Sequence, residues 1–280
     1  MNVFGLALLI VVGLILQPTE VRSQVVYTDV HAHLHGLIGR GQADDYRGAS
    51  RVAIASMDQF GARRMIVMPP PFAPGMPGRY DVETLFEATR DFPGRFAVVA
   101  GGGSLNPILV EAARAGSLSE ATKRQFAETA EALAARGIVG YGEMTTEHFS
   151  LGPQHPFISA PPDHPLLMLL ADIAAKHDLP IELHMEAIDT AAGLNPKYRS
   201  PPNPAKLVPN ISAFERLLAH NRRARIIWSH VGWDNTGQRT PALMERLFRA
   251  HPNLYASTKI AGDSLPINRI VDRDRPMDPT

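Results

Sequence analysis

The sequence predicts an α/β protein with a TIM-type (β/α)8 barrel as its single folded domain. Short apolar runs bounded by Gly, Pro or charged residues alternate with longer stretches of helical period, which is the pattern of repeated βα units. The 280 residues suffice for one such domain, since these barrels commonly have about 250 residues. Ionisable residues also end several predicted strands, where barrels of this fold carry their active sites.

Seven apolar runs predict strands, and six amphipathic stretches predict helices between them. The predicted strands are 25–31, 64–68, 96–100, 138–143, 181–184, 225–230 and 254–259. The predicted helices are 50–59, 82–91, 120–135, 166–177, 212–220 and 241–250. Near-continuous apolar strands joined through helices indicate a parallel sheet, which is either a closed barrel or an open doubly wound sheet. The first helix lacks the Gly-rich turn of dinucleotide-binding sheets, which favours the barrel.

An eighth strand is not predicted after the seventh run. Residues 261–280 are polar, contain Pro and lack another apolar run. We therefore expect the barrel domain, residues 24–280, to be truncated after strand 7, with two edge strands left unpaired. Association with another chain, as in a homo-oligomer, is one way of covering such edges.

The first 23 residues predict a cleaved signal peptide. An apolar run over residues 3–16 is followed by a polar stretch that ends at Ser23, which suits cleavage before Gln24. The alternative is an uncleaved anchor, but a membrane span takes about 20 apolar residues and this run is shorter. We expect a secreted or periplasmic protein with no stable membrane association after cleavage.

Composition excludes several classes of function. Lys plus Arg and Asp plus Glu number 28 each, and no basic stripe is visible, so we expect a small-molecule substrate and no nucleic acid partner. The chain has no Cys, which excludes disulfides, Cys-rich zinc modules and thiol nucleophiles. The 11 His and the carboxylates are then the good metal ligands that remain.

Five of these residues lie at the carboxyl ends of predicted strands. His31 and His33 end the first strand on one face, because side chains alternate along a strand. The fourth, fifth and sixth predicted strands end at Glu143, His184 and His230. A divalent metal would satisfy such a cluster at the barrel mouth, where uncompensated burial is costly. Imidazole with carboxylate suits zinc best, with manganese, iron or nickel as alternatives, and one or two ions remain open.

This order of residues resembles the amidohydrolase superfamily. The segments Ile-Glu-Leu-His-Met-Glu-Ala at 181–187 and Ser-His-Val-Gly-Trp-Asp at 229–234 are similar to its amidohydrolase-related branch, family 2, and the resemblance covers residues 25–260. It implies that His31 and His33 bind one metal, that His184 and His230 bind a second, and that Glu143 bridges them. Catalytic roles for Glu143 and His230 are part of this prediction. The family also carries an Asp at the end of the eighth strand, for which no candidate is found.

The resemblance implies a metal-dependent hydrolase that uses metal-activated water on an amide, ester or lactone bond. A metal-dependent decarboxylase of the same superfamily and an inactive metal-binding module remain alternatives. Trp233 and Asp234 follow His230 directly, and Lys259 ends the seventh predicted strand, so these three are predicted to contact substrate. Glu182 shares the face of His184 deeper in the barrel, and no partner is predicted for it.

Overall fold

A computed structural model of the protein describes residues 26–34, 45–152, 155–196, 202–231 and 233–258. Its strands are β1 (Tyr27–Ala32), β2 (Ala62–Val67), β3 (Phe96–Gly101), β4 (Gly140–His148), β5 (Ile158–Ser159), β6 (Ile181–Met185), β7 (Ala192–Gly193), β8 (Lys206–Leu207), β9 (Ile226–Val231) and β10 (Leu254–Thr258). Its helices are α1 (Tyr46–Phe60), α2 (Val82–Thr89), α3 (Leu105–Ala115), α4 (Glu120–Ala135), α5 (Pro165–His177), α6 (Ile211–His220) and α7 (Pro241–Ala250).

The predicted barrel is confirmed as a parallel, near-closed barrel with helices between its strands. Seven of the described strands pair in the order β1, β2, β3, β4, β6, β9, β10, and at least one helix connects each consecutive pair. Each of them overlaps one of the predicted strands. Within the described residues no pairing joins β10 to β1. The stretch 261–280, where no eighth strand is predicted, lies outside those residues.

The helices bury one apolar stripe each against the outside of the barrel. On α4 the buried positions are Phe126, Ala130 and Leu133, the same set that the helical period predicts. Inside this layer Trp228 of β9 is fully buried and packs against the Phe214 ring, with 5.1 Å between ring centroids. Burial of each large apolar side chain contributes about 1.5–3 kcal/mol, so this layer holds the strands in place.

One helix and three two-residue strands were not predicted. Helix α3 follows three glycines and carries Pro107 in its first turn, a composition that is typical of a loop. The helix forms because the first turn does not need the N–H that proline lacks. Gly103, just before this helix, packs so closely against the Tyr80 carbonyl that no Cβ would fit there.

The amino-terminal segment 1–23, predicted as a signal peptide, lies outside the described residues. None of the described helices combines the length and the apolar character that a membrane crossing requires. The short strands β7 and β8 pair with each other as an antiparallel ribbon separate from the barrel sheet.

Candidate metal centre

The five side chains predicted at strand ends lie together at the carboxyl end of the barrel. Because the strands are parallel, their carboxyl ends meet at one rim. His31 lies on β1 and His33 follows it, and their Nε2 atoms are 3.2 Å apart. Glu143, His184 and His230 come from β4, β6 and β9. The structure thus brings residues that are far apart in sequence to one point.

Glu143 occupies the middle of this cluster, with each carboxylate oxygen facing a different pair of imidazoles. Its Oε2 lies 3.2 Å from His33 Nε2 and 3.9 Å from His31 Nε2. Its Oε1 lies 2.7 Å from His184 Nδ1 and 3.1 Å from His230 Nε2. Two sets of three potential ligand atoms result, one on each side of the carboxylate, with the atoms of each set within 4.8 Å of one another.

The chemistry of these donors fits a divalent metal ion. Imidazole nitrogens and a carboxylate oxygen are the ligands that zinc prefers when Cys is absent. Glu143 is only 2% exposed, and an ionised carboxylate is costly to bury without a counter-charge. A cation between the donor atoms would supply that charge.

The electrostatics of the cluster favour an ionised Glu143. Burial raises the pKa of this carboxyl, but the charge and hydrogen bond of His184 and hydrogen bonds from His230 and His33 hold it well below its usual range. Burial lowers the pKa of His184, yet Glu143 raises it to about 9. Burial lowers the pKa of His230 to about 4, against the opposing influence of Glu143. Without a metal, the negative charge of Glu143 is therefore compensated by a protonated His184. A bound cation would compensate that charge instead.

The outer ring nitrogens of the first histidine pair are held by oxygen acceptors. His33 Nδ1 donates to the carbonyl of Met68 at 3.0 Å, and His31 Nδ1 donates to Glu182 Oε1 at 2.6 Å. A carbonyl or a carboxylate only accepts, so in the neutral form of each histidine the proton lies on Nδ1 and Nε2, which faces the cluster, could bind a metal. Burial lowers the pKa of His31, but the hydrogen bond to Glu182 and the charges of Glu143 and Glu182 raise it above the usual value.

The structure supplies partners for Glu182, for which the sequence indicated none. Its Oε1 accepts from His31, from Ser229 Oγ at 3.2 Å and from Ser257 Oγ at 3.1 Å. These donors come from β1, β9 and β10, so their arrangement depends on the sheet register and not on local sequence. The buried carboxylate thus contacts three other strands and orients a candidate ligand.

Arg239 is a supporting residue that sequence reasoning missed. Its guanidinium is buried, donates to the carbonyls of Ser229 at 3.1 Å and His230 at 2.8 Å, and also donates to the carbonyl of Met185. It lies over the Trp228 ring at 4.4 Å from the centroid. His230 has a φ of 58°, a left-handed conformation that is uncommon outside glycine, and Arg239 binds its carbonyl. A single Arg in a loop carries no local signal for this role.

A cavity of about 660 Å³ opens over the cluster, a volume that suits a small molecule. Trp233 lines this cavity, and its indole N–H donates to Asn235 Oδ1 at 2.7 Å. His148 and His155 line it as well, with 4.8 Å between their ring centroids.

Asp234 and Lys259 are the other two predicted substrate contacts. Asp234 does not line the cavity; its carboxylate accepts hydrogen bonds from the backbone of its own loop, at Thr236, Gly237 and Arg239. These hydrogen bonds hold the shape of the loop, and the substrate contact of Asp234 stays a prediction. Lys259 lies outside the described residues.

No family model matches the chain, and no curated protein sequence matches it. Solved structures do match. A protein described as a 2-pyrone-4,6-dicarboxylic acid hydrolase, from Acinetobacter baumannii with citric acid bound, is 14% identical, with 88% of each chain covered and a TM-score of 0.36. A dihydroorotase from Saccharomyces cerevisiae is 11% identical, with 84% of this chain and 56% of the other covered and a TM-score of 0.46.

A 2,6-dihydroxybenzoate decarboxylase from Rhizobium is 18% identical, with 79% of this chain and 70% of the other covered and a TM-score of 0.40. At such TM-scores the comparisons assign no residue roles, which depend on the geometry described above. By their descriptions these three proteins are a hydrolase, a dihydroorotase and a decarboxylase.

Proposed function

We propose that this chain is a metal-dependent hydrolase of the amidohydrolase superfamily, acting with metal-activated water on an amide, ester or lactone bond of a small molecule. One observation carries the proposal: the Glu143 carboxylate lies between two imidazole pairs, with one oxygen toward each pair. An acid in this position could hold one cation on each side. The position therefore favours the hydrolase over the alternatives.

Each side of Glu143 would hold one ion, through His31 and His33 on one side and through His184 and His230 on the other. A divalent ion, for which zinc is the best match, supplies Lewis acidity that lowers the pKa of water and polarises a carbonyl. The protein's own contribution is to fix these donors. Glu143 stays ionised at neutral pH, and burial keeps His230 neutral with a pKa of about 4.

The test compares the native chain with Glu143→Gln and with His177→Asn as a matched control. His177 ends α5 on the outside of the barrel, where its Nε2 lies 2.6 Å from Glu131. Metal-depleted proteins are reloaded with zinc, the bound zinc is counted by elemental analysis, and hydrolysis of an ester, lactone and amide panel is measured.

We expect two zinc ions per native chain and loss of hydrolysis with a chelator. Glu143→Gln should bind at most one ion and lose about 100-fold or more in kcat/KM, while His177→Asn should match the native chain. Hydrolysis that survives both the chelator and the Gln substitution would contradict the proposal. One ion per chain together with release of CO2 from an aromatic acid would favour the decarboxylase.

A further inference from the structure

The cavity above the metal cluster has predominantly apolar walls. One wall comes from the segment after β2 and is lined by Pro70, Pro71, Phe72, Met76, Pro77 and Tyr80. Leu151, Pro156 and Trp233 from later in the chain also line the cavity. A substrate whose reacting bond lies at the cluster therefore packs the rest of its surface against apolar side chains.

The first of these walls is held firmly in place. The Phe72 and Tyr80 rings meet edge to face, with 5.6 Å between centroids, and the Tyr80 hydroxyl donates to the Leu34 carbonyl at 3.2 Å. The Phe72 N–H donates to the Gly102 carbonyl at 3.0 Å, and its own carbonyl accepts from Asn106 Nδ2 at 3.1 Å. The rings are thus presented as a preformed surface, which reduces the entropic cost of binding.

The polar side chains that line the rest of the cavity carry imidazole or hydroxyl groups. His148, His155, Ser257 and Thr258 are the members of this set beyond the five cluster residues. Among the described residues that line the cavity there is no Lys or Arg. Against these described walls a carboxylate or phosphate of the substrate would meet no cationic side chain, and its burial there would be costly.

We propose, on the basis of the hydrolase function above, that the substrate is an uncharged ester or lactone whose aryl or alkyl part occupies the apolar end of this cavity. In this proposal the metal cluster binds the ester group that reacts, and the apolar walls determine which aryl or alkyl substituents fit. Hydrolysis of such an ester consumes one water, breaks the acyl C–O bond and releases an alcohol, a carboxylate and a proton.

The test uses two esters of equal chain length, phenyl hexanoate and monophenyl adipate, which differ by a terminal methyl or carboxylate. With the zinc-loaded chain we expect kcat/KM for phenyl hexanoate to exceed that for monophenyl adipate by about tenfold or more. Equal rates, or faster cleavage of monophenyl adipate, would overturn the proposed substrate class.

A binding measurement separates this proposal from failure of the hydrolase function. Acetophenone and benzoate have similar shapes, and calorimetric titration of the metal-free chain compares them without metal coordination. We expect acetophenone to bind more tightly. If neither ester is cleaved but acetophenone still binds more tightly, the hydrolase assignment fails and the preference of the cavity stands; tighter benzoate binding overturns the cavity argument itself.

A cation added to the wall should shift the selectivity. Met76→Arg places a guanidinium on the first wall, and Val208→Arg places one at a site that is 75% exposed and does not line the cavity. We expect Met76→Arg to lower the hexanoate to adipate ratio at least about tenfold, and Val208→Arg to leave it unchanged. An equal effect of both substitutions would mean that net charge, and not the wall, sets the preference.

Discussion

Replacing Glu182 by Gln tests how the protein orients the candidate ligand His31. In the native chain Glu182 Oε1 lies 2.6 Å from His31 Nδ1 and also accepts from the hydroxyls of Ser229 and Ser257. Gln has nearly the same shape and keeps one acceptor oxygen, so the three hydrogen bonds can persist. The negative charge, which makes the imidazole a stronger donor to a metal, is lost.

The size of the effect follows from that single charge. A buried hydrogen bond to a charged group contributes about 1.5–3 kcal/mol, and a neutral one contributes about 0.5–1.5 kcal/mol. The difference of about 1–2 kcal/mol corresponds to a zinc affinity that is about 5- to 30-fold weaker at the site formed by His31 and His33. The hydrogen bonds of the second site, formed by His184 and His230, go to Glu143 and not to Glu182, so this site should keep its affinity.

The assay is competition for zinc with a chelator of known affinity, combined with urea unfolding of the metal-free proteins to verify the fold. Glu131→Gln is the matched control, because Glu131 accepts from His177 at the same 2.6 Å on the outside of the barrel. We expect its zinc affinities to match the native values. The reasoning is refuted if Glu182→Gln unfolds like the native chain and binds both zinc ions within twofold of the native affinities.

Four further predictions concern stability and processing. Burial raises the pKa of the Glu147 carboxyl from 4.5 to about 7 in the folded chain, so the free energy of unfolding falls as pH rises between these values. In urea unfolding, Glu147→Gln should be about 3 kcal/mol more stable than the native chain at pH 8 and equally stable at pH 4. Parallel profiles of stability against pH for the two proteins would contradict this. Arg239→Lys loses the planar fork that binds three carbonyls and should destabilise the chain by about 2–4 kcal/mol, so an unchanged urea midpoint would argue against its role. Phe214→Ala removes a ring that is 0% exposed and should cost about 3–5 kcal/mol in the same assay, whereas a loss below about 1 kcal/mol would mean that the core refills the space. Expression with export should yield a mature chain that starts at Gln24, and mass spectrometry that finds an intact amino terminus would contradict the predicted cleavage.

Local periodicity was enough to predict the barrel and to bring the five cluster residues to one rim. The two-residue period of a strand puts His31 and His33 on one side of β1. Parallel strands align their carboxyl ends, so residues that end other strands, such as Glu143, are predicted to lie beside them. The boundaries of α4 were predicted as well, since it begins and ends where the period predicts, but α1 begins at Tyr46 and not at the predicted residue 50.

Contacts between distant strands and loops could not be predicted in the same way. The partners of Glu182 depend on how β1, β9 and β10 are shifted relative to β6, which no local pattern encodes. Arg239 reaches carbonyls on two strands from a loop, and its position depends on the whole fold. Helix α3 was not predicted because Pro107 and the preceding glycines are typical of loops. Burial of Leu105 and Leu109 stabilises a helix there.

The contacts of Glu182 reach both margins of the barrel sheet. One oxygen joins His31 on the first strand to Ser257 on the last described strand, across the gap where no backbone pairing is present among the described residues. Metal binding at His31 and the stability of the contact between β1 and β10 should then be thermodynamically linked, since a change that stabilises one stabilises the other. Amide protons of β1 and β10 should exchange with solvent more slowly once zinc is bound, while those of β3, on the far side of the barrel, should keep their rates.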